Sequence, residues 1–564
     1  MREGLNTKIE QKITTKPKQF SYTTNYFLKK KIQMDRIFER IKPDLIELSD
    51  YFSPRTCRFL TSDVYKPVRK AKKILNSVTL TAVRNFASGM QSGATSATSR
   101  WFRLQMQDKD FNQVYEVRKW CYKQEELTRQ LLATSNFYQL MMGIYKDLGV
   151  YSFGCLAMQT ESNGSLVFTR LPIGSYRYSK NSKGIVDTLC RTYCESVKNL
   201  VDTYGYENCS KNVKDAFDNN VDALVEICFF VEPNKEYNQK SPLARHKKYI
   251  SVVFETGKEG FLSVSGYEKF PFAVFEAEVN GEDNYPSNCP ALEALPDAKQ
   301  LMMQQKEYAK GIKKLVTPTY KGPASLQKTR GLIDAPGQII PEDESGRGLS
   351  PIYEINPRIL ELKQNNDELA QKIQEHFYND LFAVILNSAE RGRTATEVNE
   401  VKEEKMVLLS PILDQVHKGL RVVLDWIFWS TFETGIMPTP PSMIDLEKTK
   451  MEFVSALAMA QKVKGIASIE RYTTFVTNLA NSTDMTIKKK LNLEKIIDDY
   501  ADIANINPEY VVSNEELKKI RKEMEAQTQQ QIQFEQAKQG TEIVKNLGGI
   551  DSFGADLVDR MGAW

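Results

Sequence analysis

Two arginines flank a glycine in the stretch NSAERGRTATE. The guanidinium groups of Arg391 and Arg393 are planar and permanently charged, and such groups bind phosphate oxygens through paired hydrogen bonds. Gly392 allows the chain to turn tightly between them. Thr394 and Glu397 have the spacing of a capping box, which predicts that a helix begins directly after the turn. The pattern therefore predicts a short basic loop tip between two helices, suited to a polyanion.

The other residue types that could do chemistry form no recognisable catalytic pattern. The three histidines, His246, His376 and His417, all lie among charged neighbours, which favours a surface or structural role. Asp498 and Asp499 are adjacent, so on a helix they would point to different faces and could not act as an acid/base pair. The sequence contains no phosphate-binding glycine loop, paired-histidine metal helix or nucleophile elbow. We therefore expect no enzymatic activity, no cofactor and no metal site.

The eight cysteines lack the paired spacings of zinc or redox motifs. Cys190 and Cys194 are four residues apart in a strand-like stretch, which would place both on one face of a sheet. We interpret them as small buried apolar side chains. Unpaired cysteines of this kind predict assembly in a reducing, cytosolic compartment.

Composition limits the classes of protein that remain. The 564 residues are 41% hydrophobic and 26% charged, which is typical of an ordered chain with several substructures. Its 76 basic and 72 acidic residues give a net charge of +4, too small for general nucleic-acid binding, so any such contact must come from local patches. The N-terminus has no apolar signal-peptide core and the apolar runs are short, so we expect no membrane partner.

A predicted helix over 291–315 has two distinct faces. Its basic stripe contains four lysines: Lys299, Lys306, Lys310 and Lys313. The opposite stripe is apolar: Leu301, Tyr308, Ile312 and Leu315. The basic stripe could contact phosphates or could be an ordinary solvated face, and the pattern leaves both interpretations open.

The segment 316–357 is rich in glycine and proline and is long for a connector, which is typical of functional or disordered segments. Eight basic residues oppose three acidic ones over 291–330, whereas 331–345 contributes only acids. The charged candidates in this segment are Lys321, Lys328, Arg330, Asp334, Glu342, Asp343 and Glu344. A long helix with an apolar seam is predicted next, over 358–386, and another from the basic tip to Gly435.

The remaining parts have simpler patterns. Residues 31–150 are mainly helical, interrupted by an expected exposed loop in 85–104, where glycines and hydroxyl residues break the periodicity. Short alternating runs over 151–280 predict antiparallel strands, with one helix near 195–220. The pattern is helical again over 445–525. Together these predictions give an α+β chain that is mainly helical.

The order of these parts resembles the portal, or head-to-tail connector, proteins of short-tailed phages. Similar stretches occur in the same order over about residues 85–440 and include FASGMQSGATSATSRWFRL, YPSNCPALEALPDAKQL and RTATEVNEVKEEKMVLLSPIL. The N-terminal arm and about the last hundred residues match weakly. The resemblance implies a mainly helical α+β portal fold with a β-rich wing, a two-helix stem, a clip and a helical crown.

Each module of that fold would have its own place in this chain. The implied modules are an N-terminal arm and wing over 1–290 (helical 31–150, β-rich 151–280), a first stem helix 291–315, a clip 316–357, a second stem helix 358–387, a channel loop 388–396, a long helix 397–440 returning to the wing, and a crown with a tail over 441–564.

The resemblance further implies a ring of twelve copies at one capsid vertex, assembled in the host bacterial cytoplasm. Double-stranded DNA would pass through its channel, with Arg391 and Arg393 facing the duplex and the four stem lysines as secondary contacts. The clip would dock the terminase large subunit and later the tail adaptor and tail proteins, while the major capsid protein and scaffolding protein would be further partners. Three alternatives remain: the arginines pair with Glu390, Glu397 or a neighbouring subunit; the chain is a tail adaptor; or it is a nucleic-acid-processing enzyme.

Overall fold

The computed structural model describes most of the chain between residues 22 and 546. The described ranges are 22–54, 58–59, 73–98, 100–108, 111, 114–161, 163–278, 283–286, 288–316, 320–321, 350–351, 359–386, 395–446, 449–453, 469–479, 492–504, 510–512 and 514–546. The chain divides into two units. The first contains Met1–Phe102, Glu126–Met437 and Phe453–Leu457, and the second contains Arg103–Glu125, Pro438–Glu452 and Ala458–Trp564.

Helices form most of the described structure. They are α1 (Thr24–Phe52), α2 (Val78–Ala94), α3 (Tyr115–Thr134), α4 (Phe137–Tyr151), α5 (Val197–Tyr204), α6 (Lys211–Asn219), α7 (Pro290–Val316), α8 (Ile359–His376), α9 (Asn379–Leu386), α10 (Ala395–Glu433), α11 (469–479), α12 (Leu493–Ala504) and α13 (Asn514–Asn546). The strands are β1 (Phe102–Met106), β2 (Phe153–Thr160), β3 (Leu166–Leu171), β4 (Tyr176–Lys180), β5 (Val186–Ser196), β6 (Leu224–Pro233), β7 (Tyr249–Glu255), β8 (Ser263–Tyr267), β9 (Phe272–Glu276), β10 (Tyr320–Lys321), β11 (Ser350–Pro351) and β12 (Thr449–Phe453). The predicted mixture of helix and sheet is confirmed.

The strands between 151 and 280 form two antiparallel sheets in the first unit. One has the order β3-β2-β9 and the other β4-β5-β6-β7-β8. Where one helix was predicted near 195–220, two short helices occur, because Gly205, with φ at +83°, ends α5 before α6 begins. The antiparallel strands are confirmed and the single helix was wrong.

The N-terminal half of α1 covers one face of the five-stranded sheet. The buried residues at this contact are Tyr22, Phe27, Met34, Cys190, Cys228, Phe230, Ile250, Val252 and Phe254. The thiols of Cys190 and Cys228 are 3.2 Å apart, and the hydrogen bond between them, together with burial, raises the pKa of the Cys228 thiol. Cys190 is thus a buried core side chain as predicted, whereas Cys194 is partly exposed.

The first half of the expected loop within 85–104 is helix, because α2 continues to Ala94. One of its small residues, Gly89, allows close packing and does not mark a turn. Gly89 lies against the ring of Phe382, and a Cβ atom at this position would come within 2.1 Å of the Phe382 Cγ atom. The residue that explains Gly89 is therefore almost three hundred positions away in the chain, which local periodicity cannot indicate.

A buried ion pair joins α4 to the three-stranded sheet. The Arg170 guanidinium donates two hydrogen bonds of 2.6 Å to the Asp147 carboxylate, which is almost fully buried. Burial raises the pKa of Asp147, although the charge of Arg170 and its hydrogen bonds act in the opposite direction. The pair holds the start of the β-rich part against the preceding helix.

The predicted long helix over 358–386 is interrupted. Tyr378 has φ at +55°, in the left-handed region, so α8 ends at His376 and α9 begins at Asn379. Aromatic packing accompanies the break: Phe377 lies 5.6 Å from Phe52, and Phe382 lies 6.1 Å from Phe86, measured between ring centroids. Phe377 and Phe382, one residue before and four residues after Tyr378, thus anchor the chain on both sides of the break.

Among its described residues, the second unit departs from the helical prediction in one strand. Within the stretch 445–525, residues Thr449–Phe453 form the strand β12, which pairs with β1. The β-branched and aromatic side chains at Thr449 and Phe453 favour a strand, and a partner strand far along the chain stabilises it. Helices α11 to α13 agree with the predicted pattern.

Candidate nucleic-acid interface

The basic tip connects α9 to α10. Arg391, Gly392, Arg393 and Thr394 lie outside the described residues, as does the side chain of Glu397. Helix α9 ends at Leu386 and α10 begins at Ala395, directly after the predicted capping threonine. The start of α10 and its end next to Gly435 agree with the predicted helix, whereas the orientation of the two arginines stays a prediction.

The glycine- and proline-rich segment begins and ends in a small sheet. Strands β10 and β11 are antiparallel, with Tyr320 opposite Pro351 and Lys321 opposite Ser350. The six other charged candidates lie outside the described residues: Lys328, Arg330, Asp334, Glu342, Asp343 and Glu344. The pairing brings the two ends of the intervening segment together, next to the end of α7 and before the start of α8.

Helix α7 matches the predicted helix over 291–315 to within one residue at each end. Its N-terminal half is packed into the first unit through Ala291, Ala294, Ala298 and Leu301, all fully buried. Nearer its C-terminal end the apolar stripe becomes accessible to solvent: Tyr308 is half-buried and Ile312 is exposed. Helix α7 is therefore a core helix at one end and a surface helix at the other.

Helices α7 and α8 form an antiparallel hairpin. The Asn366 side-chain amide donates to the Gln305 side-chain oxygen at 3.5 Å, and nearer the base the His376 ring is 3.5 Å from an Asp297 carboxylate oxygen. The apolar seam of α8 shows the same gradient as α7: Leu369 and Ile373 are buried, whereas Leu362 is exposed. The far half of this hairpin thus presents apolar side chains without a described covering.

The four stem lysines do not form a uniform row of free cations. Lys299 pairs with Glu47 of α1, with 2.7 Å between Nζ and Oε1, and Lys310 pairs with Glu307 one turn earlier, also at 2.7 Å. Lys313 is exposed and engaged in a further contact. Lys306 is exposed and has no ion-pair partner among the residues that the structure describes. The ion pair of Lys299 with Glu47 joins α7 to α1. The charge of Lys299 therefore stabilises this helix contact, in addition to any role in binding a ligand.

A polar cleft at the base of the hairpin was missed from the sequence. It has a volume of about 280 Å³ and is lined by Glu293, Lys372, Glu375, His376 and Tyr378. Burial raises the pKa of the Tyr378 hydroxyl. These residues come from α7, α8 and the break after it, so no local spacing could have grouped them. The cleft has acidic and basic groups but no activated nucleophile, and the described residues contain no group of three or more potential metal ligands.

Comparison with known proteins decides the family. The family model described as bacteriophage head to tail connecting protein matches residues 28–512. The chain belongs to this family. The portal protein of Salmonella phage epsilon15 is 31% identical over 490 residues, which cover 86% of this chain and 88% of that protein. A probable portal protein of Bordetella phage BPP-1 is 29% identical over 514 residues, covering 90% of this chain and 92% of the relative.

Solved structures give more remote likenesses to this head-to-tail connecting protein. A chain in the virion of a native gene transfer agent particle aligns with a TM-score of 0.36 and 11% identity, over 71% of this chain and 86% of that one. A chain in the neck of the same kind of particle, computed with C12 symmetry, aligns with a TM-score of 0.34 and 10% identity, over 70% and 86%.

The family and the two portal relatives give the function of the chain, which is that of a portal, the connector between a phage head and its tail in the virion. Among the described helices none is both long and apolar enough to cross a membrane.

Proposed function

We propose that twelve copies of this connector form a ring at one capsid vertex, through which double-stranded DNA enters during packaging and leaves during ejection. The observation that carries this proposal is the α7–α8 hairpin, buried at its base and apolar but exposed at its far end. Ile312 and Leu362 are exposed in the single chain. A second copy placed alongside would cover them, and such surfaces in closed rings join unlike faces of neighbouring copies.

The hairpin also supports the assignment of a DNA channel. In chain order, the lysine stripe belongs to α7 and the Arg391–Arg393 tip follows α9. A ring would repeat each of these cations around a central bore. Weak, sequence-independent phosphate contacts suit a duplex that has to slide, because base-specific contacts would hold it in register.

The clip assignment is supported by the β10–β11 pairing. That pairing brings the two ends of the charged segment 316–357 together beside the hairpin, a position suited to docking other proteins. We assign it to successive contacts with the terminase large subunit and with the tail adaptor and tail proteins of a short-tailed particle. The major capsid protein and scaffolding protein would contact the rest of the ring during assembly in the bacterial cytoplasm.

The proposed role is structural and not enzymatic. Genome translocation requires nucleotide hydrolysis, which the separate terminase would supply. A nucleic-acid-processing enzyme would need a cluster of ionisable groups around a reactive centre, and no described residues form such a cluster beyond the cleft at the hairpin base. The family match over most of the chain also separates this protein from tail adaptors.

Electron microscopy of the purified protein tests the ring directly. We expect ring-shaped particles with a central hole and twelvefold symmetry at micromolar concentration. Sedimentation velocity on the same sample provides an independent mass. A chain that remains strictly monomeric under these conditions, and also in the presence of scaffolding protein, would contradict the proposal.

A further inference from the structure

A strongly basic loop connects β6 to β7 and is unrelated to the channel candidates. Within residues 234–248 there are five cations and one carboxylate, Glu236, which gives a local net charge of +4. The cations are Lys235, Lys240, Arg245, Lys247 and Lys248. The local charge equals that of the whole chain, so this one loop accounts for the protein's excess of positive charge.

The loop is built around a buried side chain. The Asn234 amide nitrogen Nδ2 donates to the carbonyl oxygens of Arg245 and Lys247, both at 2.8 Å. The Asn234 backbone N–H donates to the Lys248 carbonyl at 2.8 Å, and the Tyr22 hydroxyl donates to Asn234 Oδ1 at 3.4 Å. These bonds hold the backbone at both ends of the loop in one conformation before any ligand arrives.

The loop is also packed against a neighbouring strand. Gly266 of β8 lies so close to the Ala244 carbonyl oxygen that a Cβ atom there would come within 2.3 Å of it. Across the loop, the Asn238 N–H donates to the His246 carbonyl at 3.0 Å, and the His246 ring contacts the Ser241 hydroxyl at 2.7 Å. The described contacts of this loop are with α1 and the sheet, not with α7, α8 or α9.

Four of the five cations of this loop have no ion-pair partner in the part of the chain that the structure describes. No described carboxylate forms an ion pair with Lys240, Arg245, Lys247 or Lys248. The Arg245 Nε atom is buried and has no hydrogen-bond partner among the described residues. Lys235 lies over the Tyr26 ring, 5.0 Å from its centroid. Lys30, Lys73 and Lys299 elsewhere on the molecule pair with carboxylates, whereas this loop gathers four cations without a described ion-pair partner within nine residues.

The opposite end of the same sheet has the opposite charge. Residues 197–223, which connect β5 to β6, contain three lysines and five carboxylates, a local net charge of −2. The carboxylates are Asp202, Glu207, Asp215, Asp218 and Asp222. Strand β6 separates the two ends by about 33 Å at about 3.3 Å per residue. A polyanion would therefore be attracted to one end of the sheet and repelled from the other.

We propose that the loop 234–248 is a second DNA-contact surface, outside the channel, which holds the phosphate backbone of duplex DNA. Lysines are depleted in the cores of protein–protein interfaces, whereas Lys, Arg, Asn and Ser donors are the usual ligands of DNA phosphates. The loop offers these donors with only scattered exposed apolar side chains, Tyr237 and Leu243. Its position outside the channel rests on the proposed ring, in which α7 to α9 line the bore.

A closed circular duplex tests this surface, because a circle without ends cannot be threaded through a ring. The assembled protein is mixed with a fluorescent minicircle of about 200 base pairs, and binding is measured by anisotropy over a series of salt concentrations. The variant carries Lys240→Gln, Lys247→Gln and Lys248→Gln. A matched control carries Lys198→Gln, Lys211→Gln and Lys258→Gln, three exposed lysines at the acidic end of the sheet.

We expect the loop variant to bind the circle about 10- to 100-fold more weakly near 0.1 M salt and the slope of log K against log salt to fall by about 2 to 3, in line with three lost phosphate contacts. The control should stay within about twofold of the unaltered protein. Equal binding by the loop variant, or an equal loss in the control, would overturn the proposal. So would competition by polyglutamate as strong as that by DNA at equal charge, since the loop would then be a site for acidic proteins.

The same samples separate this inference from the proposed function. Rings of the loop variant with normal symmetry and normal binding of linear DNA, together with weakened binding of the circle, support both. Monomeric protein in every sample would instead contradict the proposed ring. The comparison of loop variant with control on the circle would still decide whether the loop binds DNA.

Discussion

The five-stranded sheet and the α7–α8 hairpin solve the problem of burying apolar side chains in different ways. The sheet is covered by α1 within the same chain, and Phe230 and Phe254 of the sheet and Phe27 of α1 are fully buried at the contact. The hairpin is buried only at its base and leaves Ile312 and Leu362 exposed at its far end. The sheet should therefore be stable in the single chain, whereas the far half of the hairpin should depend on neighbouring copies.

The largest effect is expected in the sheet. Phe230→Ala removes a ring that packs 5.2 Å from Phe27, and such changes in a core cost about 3 to 5 kcal/mol. Urea titration of the unassembled chain should show this loss in the free energy of unfolding. Leu362→Ala, in the exposed part of the hairpin, serves as the comparison and should change the same quantity by less than about 1 kcal/mol. Similar losses of unfolding free energy in both variants would contradict the proposed difference between the two regions.

The next effect concerns the ion pair below the β-rich part. Arg170→Met leaves the Asp147 carboxylate buried without its partner, which should cost about 3 to 5 kcal/mol at neutral pH. The partly exposed pair of Arg129 and Glu126 gives the control, since Arg129→Met should cost at most about 1 kcal/mol.

The loss caused by Arg170→Met should depend on pH in a defined direction. Burial already raises the pKa of Asp147, and removing Arg170 abolishes two of the three influences that lower it, leaving only the charge of Lys146. A carboxyl group with a raised folded-state pKa loses stability as pH rises through that pKa. The variant should therefore approach the stability of the unaltered protein below about pH 4, where Asp147 is protonated in both states. A loss that is constant from pH 4 to 7 would show that packing, not charge, causes it.

A third test separates folding from assembly. Ile312→Asp with Leu362→Asp places charges on the exposed half of the hairpin, where they cost little in the single chain, about 0.5 kcal/mol or less each. When ring assembly is measured by sedimentation velocity, the variant should need protein concentrations at least tenfold higher to form rings. The control variant, Ile185→Asp with Val221→Asp, changes exposed side chains of the sheet region and should assemble normally. Unchanged assembly of the hairpin variant would mean that neighbours contact another surface.

The smallest effect is expected from the basic tip. Arg391→Ala with Arg393→Ala should leave ring assembly unchanged but increase leakage of packaged DNA about two- to tenfold, because each phosphate contact is weak and screened by salt. Packaged length and leakage are measured on assembled particles at two salt concentrations. Lys198→Ala with Lys211→Ala provides the control. Packaging and retention equal to those of the unaltered protein at both concentrations would make the tip a structural turn.

Periodicity in the sequence predicted the elements whose pattern is local. Helix α7, the start of α10 and the antiparallel strands all agree with it. It failed where the contact partner is distant in the chain: Gly89 is a helical residue that makes room for the Phe382 ring, and the strand β12 pairs with β1. The candidate site shows the same division. The lysine spacing on α7 could be predicted from the sequence, but the pairing of Lys299 with Glu47 depends on how α1 and α7 contact each other in the fold.

The break at Tyr378 has a mechanical consequence. Helices α8 and α9 are not one continuous helix, so a force applied to the residues that follow α9 has no straight helical path into the hairpin. Phe382 packs α9 against Gly89 of α2, which gives that force a second path into the first unit. A pull or push on that connection is therefore expected to strain the α2–α9 contact as well as the break between α8 and α9.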